Sequence, residues 1–378
     1  MKKIVVVLAL ILCFQSTVSV MAHDQTEAET EAQSISGWTE GSEVMESIIS
    51  CVTSVTDRES EDYRPVEDRI AVFDFDGTLF GERFPTTFDT CLMLHRILHD
   101  ETFEAPDEVK EAAKAMEDAL YQHLPEPDQS LSTGKTSAES FQGMRIDEYR
   151  AYVRNFMEEP AFGFDGMEYG DAFFQPMTAL VEYLADHGFK IFISSGSERS
   201  LVRELTDGTL DQWIPSENVI GSTFCLTASG QGDQEGNKYT YAADDAVVLE
   251  GTLTVKNQKT NKVFSIIDEI GKVPVLVFGN SSGDLAMGQY VVQHGGKGYM
   301  LLCDDTERDY GDLETAEEFA RECEAIGLET VSMKNDFETI YGEDVEKNDA
   351  TGLETEEDAF EEYDKAGEFS TETESLAA

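Results

Sequence analysis

Basic residues are scarce. Lys and Arg total 27 against 77 Asp and Glu, a formal net charge of −50 over 378 residues. Nucleic-acid backbones are held by Lys and Arg, so this balance argues against a DNA or RNA partner. It also repels anionic substrates at long range, so a phosphate ester would need a locally positive site. Otherwise the charge serves solubility, as in a salty or crowded exterior. Cysteine is sparse too: there are 6, with no C-x-x-C pair, which speaks against a zinc site. Long apolar runs are missing. The run 4–14 is too short for a comfortable membrane span. Preceded by Lys2 and Lys3 and followed by Val20-Met21-Ala22, it reads as a secretory signal cut after Ala22. Cys13 follows Leu10-Ile11-Leu12 and faintly evokes a lipoprotein site, but a Leu directly before the Cys is wrong for one. The expectation is an exported protein, released or envelope-attached, with no stable membrane insertion after signal removal. Cys51, Cys91, Cys225, Cys303 and Cys323 then remain, an odd set in which at least one is free or pairs between chains. Cys303 and Cys323 are candidates for a bridge; buried thiols are the reading for most of the five.

Hydrophobic residues make up 40% of the chain, enough for a core, and the length suits one large domain with an insertion, or two domains. Residues 1–22 are the signal, and 23–60 an acidic linker with a short helix at 47–56. An α/β pattern occupies 61–79 and 171–341, interrupted by a helical block at 80–170. Residues 342–378 are acidic and poor in large apolar groups, the composition of a disordered tail. Within the helical block, helical patterning follows Thr78, with Leu92, Leu94, Ile97 and Leu98 marking an amphipathic helix. Residues 109–120 and 146–157 read as helices, and 131–140 as a polar loop. Ser132-Thr133-Gly134-Lys135-Thr136 lacks the full nucleotide-loop pattern and follows no strand. Later, helices are expected at 176–187, 198–205, 262–270 and 314–325, with another opened by Asp284. Strands are expected at 189–194, 218–226, 273–278 and 299–302, with a small β excursion at 239–255. Strands alternating with helices predict a Rossmann-like parallel sheet with helices on both faces.

The chain is organised around Arg69-Ile70-Ala71-Val72-Phe73-Asp74-Phe75-Asp76-Gly77-Thr78. A short β-branched run ends in two carboxylates at i and i+2, which share a face of a strand. Gly77 then breaks the strand and lets the backbone approach a ligand. Two acids at the end of a buried strand are costly unless compensated, and a hard divalent cation compensates them best. A β-hairpin with a DG turn is the plainer reading of the same letters. The stretch FDFDGTL resembles the first motif of the haloacid dehalogenase-like hydrolases, most of which are Mg²⁺-dependent phosphatases.

Three later stretches fall where phosphatase chemistry needs them. Ile191-Phe192-Ile193-Ser194-Ser195-Gly196-Ser197 delivers hydroxyls and a Gly to a strand end, where a phosphoryl group meets neutral donors and a helix start; an ordinary N-cap has the same letters. The resemblance puts a Ser here as second motif and favours Ser195 over Ser194, with Arg199 just inside the helix able to face the site or solvent. Its third motif, a Lys near a helix start, matches Lys262 best, with Lys256 and Lys259 as alternatives. Val275-Leu276-Val277-Phe278-Gly279-Asn280-Ser281-Ser282-Gly283-Asp284 resembles the fourth motif, retaining Asp284 but placing Asn280 where an acid is usual. This form is similar to a phosphoserine and phosphocholine phosphatase-like branch. The resemblance covers residues 70–302, with the block 80–170 matching the superfamily's cap in kind.

It implies Asp74 as nucleophile, Asp76 as general acid and base, and Ser195 and Lys262 on the phosphoryl oxygens. Mg²⁺ is expected on the Asp74 carboxylate, the Asp76 main-chain carbonyl and Asp284, with Asn280 contributing through its carbonyl or a water. Thr78, Glu82, Gly196 and Arg199 are the candidate substrate-binding residues. Glu82 suits an amine-bearing ester such as phosphoserine, phosphoethanolamine or phosphocholine; a surface carboxylate is the plainer alternative. The expected partner is a small phosphate ester. Two rival readings stay open: a non-catalytic exported binding protein on this fold, and a phosphotransferase.

Overall fold

The computed structural model describes residues 34–348 apart from 123, 125, 126, 128 and 129. Helix α1 (Glu43–Thr56) starts where Ser42 Oγ accepts the Met45 N–H. Strand β1 (Ile70–Phe73) follows, buried at all four residues, as expected of a central parallel strand covered on both faces. The helical block holds α2 (Phe88–Leu98), α3 (Asp107–Tyr121), α4 (Thr133–Ser140) and α5 (Ile146–Met157), and ends in the short β2 (Phe164–Asp165). Then come α6 (Gln175–Asp186), β3 (Lys190–Glu198), α7 (Arg199–Thr206), β4 (Val219–Ala228), β5 (Val247–Val255) and α8 (Thr260–Ser265). The last stretch carries β6 (Leu276–Gly279), α9 (Leu285–Gln293), β7 (Lys297–Leu302), α10 (Leu313–Ala325), β8 (Glu329–Ser332), α11 (Met333–Asp336) and β9 (Glu346–Lys347).

The main sheet runs β5-β4-β3-β1-β6-β7-β8. Only β5 is antiparallel to its neighbour. Among the six parallel strands the spatial order is third, second, first, fourth, fifth, sixth. This is the doubly wound order, whose ligands gather beyond the strand ends where the winding reverses. Here that point lies between β1 and β6. The core behind it is aromatic: Phe73 stacks on Phe278 at 4.3 Å between ring centres, and Phe278 on Tyr299 at 5.5 Å.

The helical block is fastened to this core. The Gly143 N–H donates to Leu249 O at 2.8 Å, and the Leu249 N–H donates to Met144 O at 2.9 Å, joining the block to β5. On the next helix, Arg150 and Arg154 of α5 both donate to the carboxylate of Glu204 on α7. At its far end, β2 pairs antiparallel with β9.

Several expectations change. Residues 133–140 form α4 rather than a polar loop; its Thr136, Ser137, Ala138 and Ser140 are buried, so packing overrides a polar composition. Residues 34–40 are not a loose linker: Trp38 is buried against Phe337, and its Nε1 donates to Pro176 O at 2.9 Å. Residues 342–348 are not tail, since β9 lies in this stretch. The β excursion reduces to β5, and β8 was not foreseen. Helical structure at 262–270 is split, with a π-helical turn at Ile266–Ile270 after α8. All five cysteines of the described part are free thiols, Cys303 and Cys323 included. The signal at 1–22, Cys13, the rest of the linker up to 33 and the tail from 349 lie outside the described residues. Among the described residues no helix is long and apolar enough to cross a membrane.

Candidate active site

Strand β1 stops at Phe73, and the alternation continues past it. Phe75 is buried and stacks on Phe80 at 5.1 Å, while Asp74 and Asp76 line a cavity of about 180 Å³. The Asp74 N–H donates to Phe278 O at 2.9 Å, so the neighbouring strand sets the backbone at the point where the acids emerge. Gly77 then turns with φ of +74°, a region that favours glycine. A Cβ there would stand 1.9 Å from Asn280 Nδ2 and 2.7 Å from Glu82 Cδ. The chain needs a glycine at this position twice over, for its conformation and for the close approach.

Strand β6 and the start of α9 supply the opposite wall. Asp284 is fully buried, and its Oδ2 accepts the N–H groups of Asn280 and Ser281, each at 3.1 Å. Lys262, buried on α8, donates from Nζ to Asp74 Oδ1 at 2.5 Å and to Asp284 Oδ1 at 2.6 Å. Of the three candidate lysines it is the one at the carboxylates. Lys256 also lines the cavity, but its Nζ donates to Gly196 O at 3.0 Å. Lys259 does not line it; its main-chain N–H donates to Gly283 O.

The end of β3 closes the third side. Ser195 Oγ donates to Asp76 Oδ2 at 3.4 Å, and Gly196 lines the cavity. Ser194 Oγ is turned the other way and accepts from Asn257 Nδ2 at 3.1 Å, which separates the two serines as their alternation on a strand requires. Thr78 is buried and its Oγ1 donates to Asn280 Oδ1 at 3.3 Å. Glu82 lines the cavity and accepts from Asn280 Nδ2 at 2.8 Å. Arg199 is not brought in: its guanidinium donates to Glu269 at 2.5 Å, and it does not border the cavity. Arg199 is thus placed against Glu269 and away from the cavity, not as a substrate contact.

Some lining residues were not anticipated. Ser197 Oγ donates to Asp76 Oδ2 at 2.7 Å. The i, i+2 spacing that joins Asp74 to Asp76 also joins Ser195 to Ser197, so the signal was present. Asp89 at the start of α2, Thr90, Thr133 and Gln258 also face the cavity. No sequence signal separates Asp89 from the ordinary preference for acids in a first helical turn.

Carboxylates outnumber ammonium groups here. Asp74, Asp76, Glu82, Asp89 and Asp284 face Lys256 and Lys262. Burial, and then the charge of Asp284, push Asp74 up to about 8 against the pull of Lys262. Burial, and then Asp89, push Asp76 up to about 7, with the Ser197 hydrogen bond working the other way. Burial raises Glu82 to about 7, opposed by Arg83. For Lys262, burial works against the charge, but Asp284 and Asp74 outweigh it and hold the ammonium above its usual range.

The donor chemistry suits a hard divalent cation: acidic oxygens in excess of lysines, and one of them, Asp76 Oδ1, buried without a partner. The side chains are not set as a metal cage, since no three acidic, His or Cys groups among the described residues are placed to hold an ion. Lys262 stands between Asp74 and Asp284 instead. Asn280 Oδ1 accepts from Thr78 Oγ1 and its Nδ2 donates to Glu82, so its carboxamide is oriented by protein groups on both sides.

No family model matches the sequence, and no curated protein matches it. Among solved structures, the chain is similar to a functionally unknown protein from Anaerococcus prevotii, with 14% identity, 76% of this chain and 91% of that chain covered, and a TM-score of 0.47. It is also similar to cytosolic 5′-nucleotidase IIIB bound to cytidine, with 14% identity, 77% and 85% covered, and a TM-score of 0.43. A phosphoserine phosphohydrolase-like protein from Francisella tularensis gives 15% identity, 66% and 92% covered, and a TM-score of 0.35. These likenesses are distant, and the site is read from its own residues. The architecture is a Rossmann-like α/β fold, a doubly wound and mostly parallel sheet, with the four motif stretches at its carboxyl edge.

Proposed function

We propose that the protein is a Mg²⁺-dependent phosphomonoesterase that works through an aspartyl-phosphate on Asp74. The observation that carries this reading is the pairing of Asp74 and Asp76 in one cavity at the end of the central strand, with Lys262 on one acid and the serines of β3 on the other. A carboxylate and a second carboxyl group side by side can divide the work of nucleophile and acid.

Asp74 attacks phosphorus in line and the leaving alcohol takes a proton from Asp76. Asp76 then accepts a proton from the water that hydrolyses the aspartyl-phosphate. Its elevated pKa, near 7, suits a group that must both give and take a proton at neutral pH. Lys262 and Ser195 hold phosphoryl oxygens, supplying the local positive charge and donors that the acidic surface lacks. The Asp74 carboxylate, the Asp76 main-chain carbonyl and Asp284 are the groups that would hold Mg²⁺. When bound, the ion offsets the charge of the carboxylates and phosphoryl oxygens. The cavity of about 180 Å³ favours a small ester, and Glu82 and Asp89 on its wall favour one carrying an amine. Export, with cleavage after Ala22, belongs to the same reading.

The test is phosphate release from an aryl phosphate, phosphoserine, phosphoethanolamine, phosphocholine and a sugar phosphate, with and without Mg²⁺. Mg²⁺-dependent release, abolished by Asp74→Asn in a folded variant, is the expected result. Unchanged turnover in Asp74→Asn overturns it. Within the amine part of the reading, Glu82→Gln is expected to reduce turnover of the amine esters more than that of the sugar phosphate.

A further inference from the structure

Lys256 lines the cavity, yet the mechanism above gives it nothing to do. It lies in the loop between β5 and α8 and borders both the main cavity and a side recess of about 10 Å³, as do Asp89 and Gly196. The recess has room for no more than a water, so a substrate group meets Lys256 from the main cavity. The loop is firmly held by the next residue. Asn257 is fully buried; its Nδ2 donates to Ser194 Oγ at 3.1 Å and to Ser195 O at 3.0 Å. Its N–H donates to Ser222 Oγ at 3.0 Å, and its Oδ1 accepts from Ser265 Oγ at 2.8 Å.

The surroundings of Lys256 do not account for its charge. Nζ donates to Gly196 O at 3.0 Å, a carbonyl that already accepts from Ser222 Oγ at 2.6 Å. An ammonium has three N–H groups, and among the described residues Lys256 forms no ion pair. Lys262, by contrast, stands between two carboxylates. A Cβ on Gly134 would lie 3.4 Å from Lys256 Nζ, so the first turn of α4 passes close by. That turn carries the positive end of a helix dipole and disfavours an ammonium beside it. In a chain of 77 acidic and 27 basic residues, a cation so placed and left without a carboxylate does not serve the fold.

We propose that Lys256 is a specificity-determining residue that receives a second anionic group, a carboxylate or a phosphate, on the alcohol part of the ester. The proposal deepens the phosphatase reading and rests on it. Lys262 and Ser195 keep the phosphoryl group that is transferred, while Lys256 takes the anion on the leaving alcohol. Asp89 borders the same cavity, its Oδ1 accepting from Thr87 Oγ1 at 2.6 Å, and serves an amine on that alcohol. No bond forms or breaks at Lys256; its contact supplies binding, so its removal raises KM more than it lowers kcat.

Three pairs of esters differ in the anionic group: phosphoserine and phosphoethanolamine, phosphoglycerate and glycerol phosphate, propanediol bisphosphate and propanediol monophosphate. Their kcat and KM are measured at saturating Mg²⁺ in the wild type, Lys256→Met and Lys256→Arg. The wild type is expected to favour the anionic member by about 10-fold or more in kcat/KM, the scale of a hydrogen bond to a charged group. Preference within the first two pairs identifies a carboxylate, and within the third a phosphate. Lys256→Met should abolish the preference, chiefly through KM, and Lys256→Arg should keep it. Each ratio is taken within one preparation, so partial unfolding cancels. Equal losses on both members of every pair in Lys256→Met overturn the proposal and leave the phosphatase reading in place. A wild type without preference for an anionic member overturns it with no variant needed. A wild type that hydrolyses none of the six esters overturns the phosphatase reading and this proposal with it.

Discussion

The ammonium of Lys262 lies 2.6 Å from Asp284 Oδ1, and both side chains are shut off from solvent. A second buried acid, Asp74, is held by the same nitrogen. Removing the lysine leaves two buried carboxylates facing each other. Lys262→Met is expected to destabilise the fold by about 3–5 kcal/mol at neutral pH, the range for breaking a buried pair. Turnover should fall by at least about 100-fold, since the phosphoryl oxygens lose a preorganised cation. Denaturant midpoints and kcat of the purified variant check both figures.

The raised carboxyl groups give a pH dependence with a definite sign. The folded-state pKa of Asp76, about 7, lies above the value of a free Asp, about 3.9. The folded protein therefore holds this proton better than the unfolded chain does. That contribution to stability is whole below about pH 4 and is lost as the pH rises through about 7. Asp76→Asn does not titrate. In metal-free buffer, its melting temperature relative to wild type should climb between about pH 5 and pH 8. A gap that stays constant across this range contradicts the assignment. Mg²⁺ added at the upper end should raise the wild-type melting temperature.

Glu204 is buried on α7, whereas Arg150 and Arg154 reach it from α5 with half of each side chain in solvent. Screening reduces what such contacts are worth, so Glu204→Ala is expected to cost about 1–2 kcal/mol. The informative readout is local. Amide exchange in α5 should accelerate while that of β1 and β6 stays slow, because the lost contacts join the insertion to the core and not the sheet to itself.

Gly77→Ala places a methyl group where Asn280 Nδ2 and Glu82 now stand, at a φ of +74°. The backbone term alone costs about 1–2 kcal/mol, and the carboxamide and carboxylate must also move. Loss of turnover with a lowered unfolding midpoint is the expected outcome. Ala at Gly143 makes a useful contrast: its φ is also positive, at +82°, but no atom stands within 4 Å of the added Cβ. That variant should show the stability loss without the loss of turnover.

The sequence made the centre of the molecule legible because the same residues encode strand and site. Apolar β-branched runs ending in Asp74, Ser195 and Asn280 mark β1, β3 and β6 and place their ends on one edge. The periphery was harder to read. Helix α4 is built from Thr133-Gly134-Lys135-Thr136-Ser137, weak helix formers on the whole, and is stabilised by contacts with β5 and α2 that lie far off in sequence. Strand β9 has two residues and no periodicity to detect. Arg199 was misplaced because the N-terminus of a helix leaves its side chain's direction open; Glu269, 70 residues later, decides it. The orientation of the Asn280 carboxamide was not legible either, since Glu82 comes from a loop whose path the motif does not set.

The pairing of β2 with β9 bears on when the site can be completed. Phe164 meets Lys347, and the Asn348 N–H donates to Gly163 O at 2.9 Å. Tyr310 Oη lies in the same seam, 2.9 Å from Gly163 O and 2.6 Å from Asn348 O, with its one O–H shared between them. A growing chain presents its segments in order, and contacts between distant segments wait for the later one. The helical insertion emerges early, yet its last anchor is made by residues near the end of the described chain. A nascent polypeptide can therefore assemble Asp74, Ser195, Lys262 and Asp284 before the roof above them is tied down. The seam between β2 and β9 is complete only once residue 348 has been made.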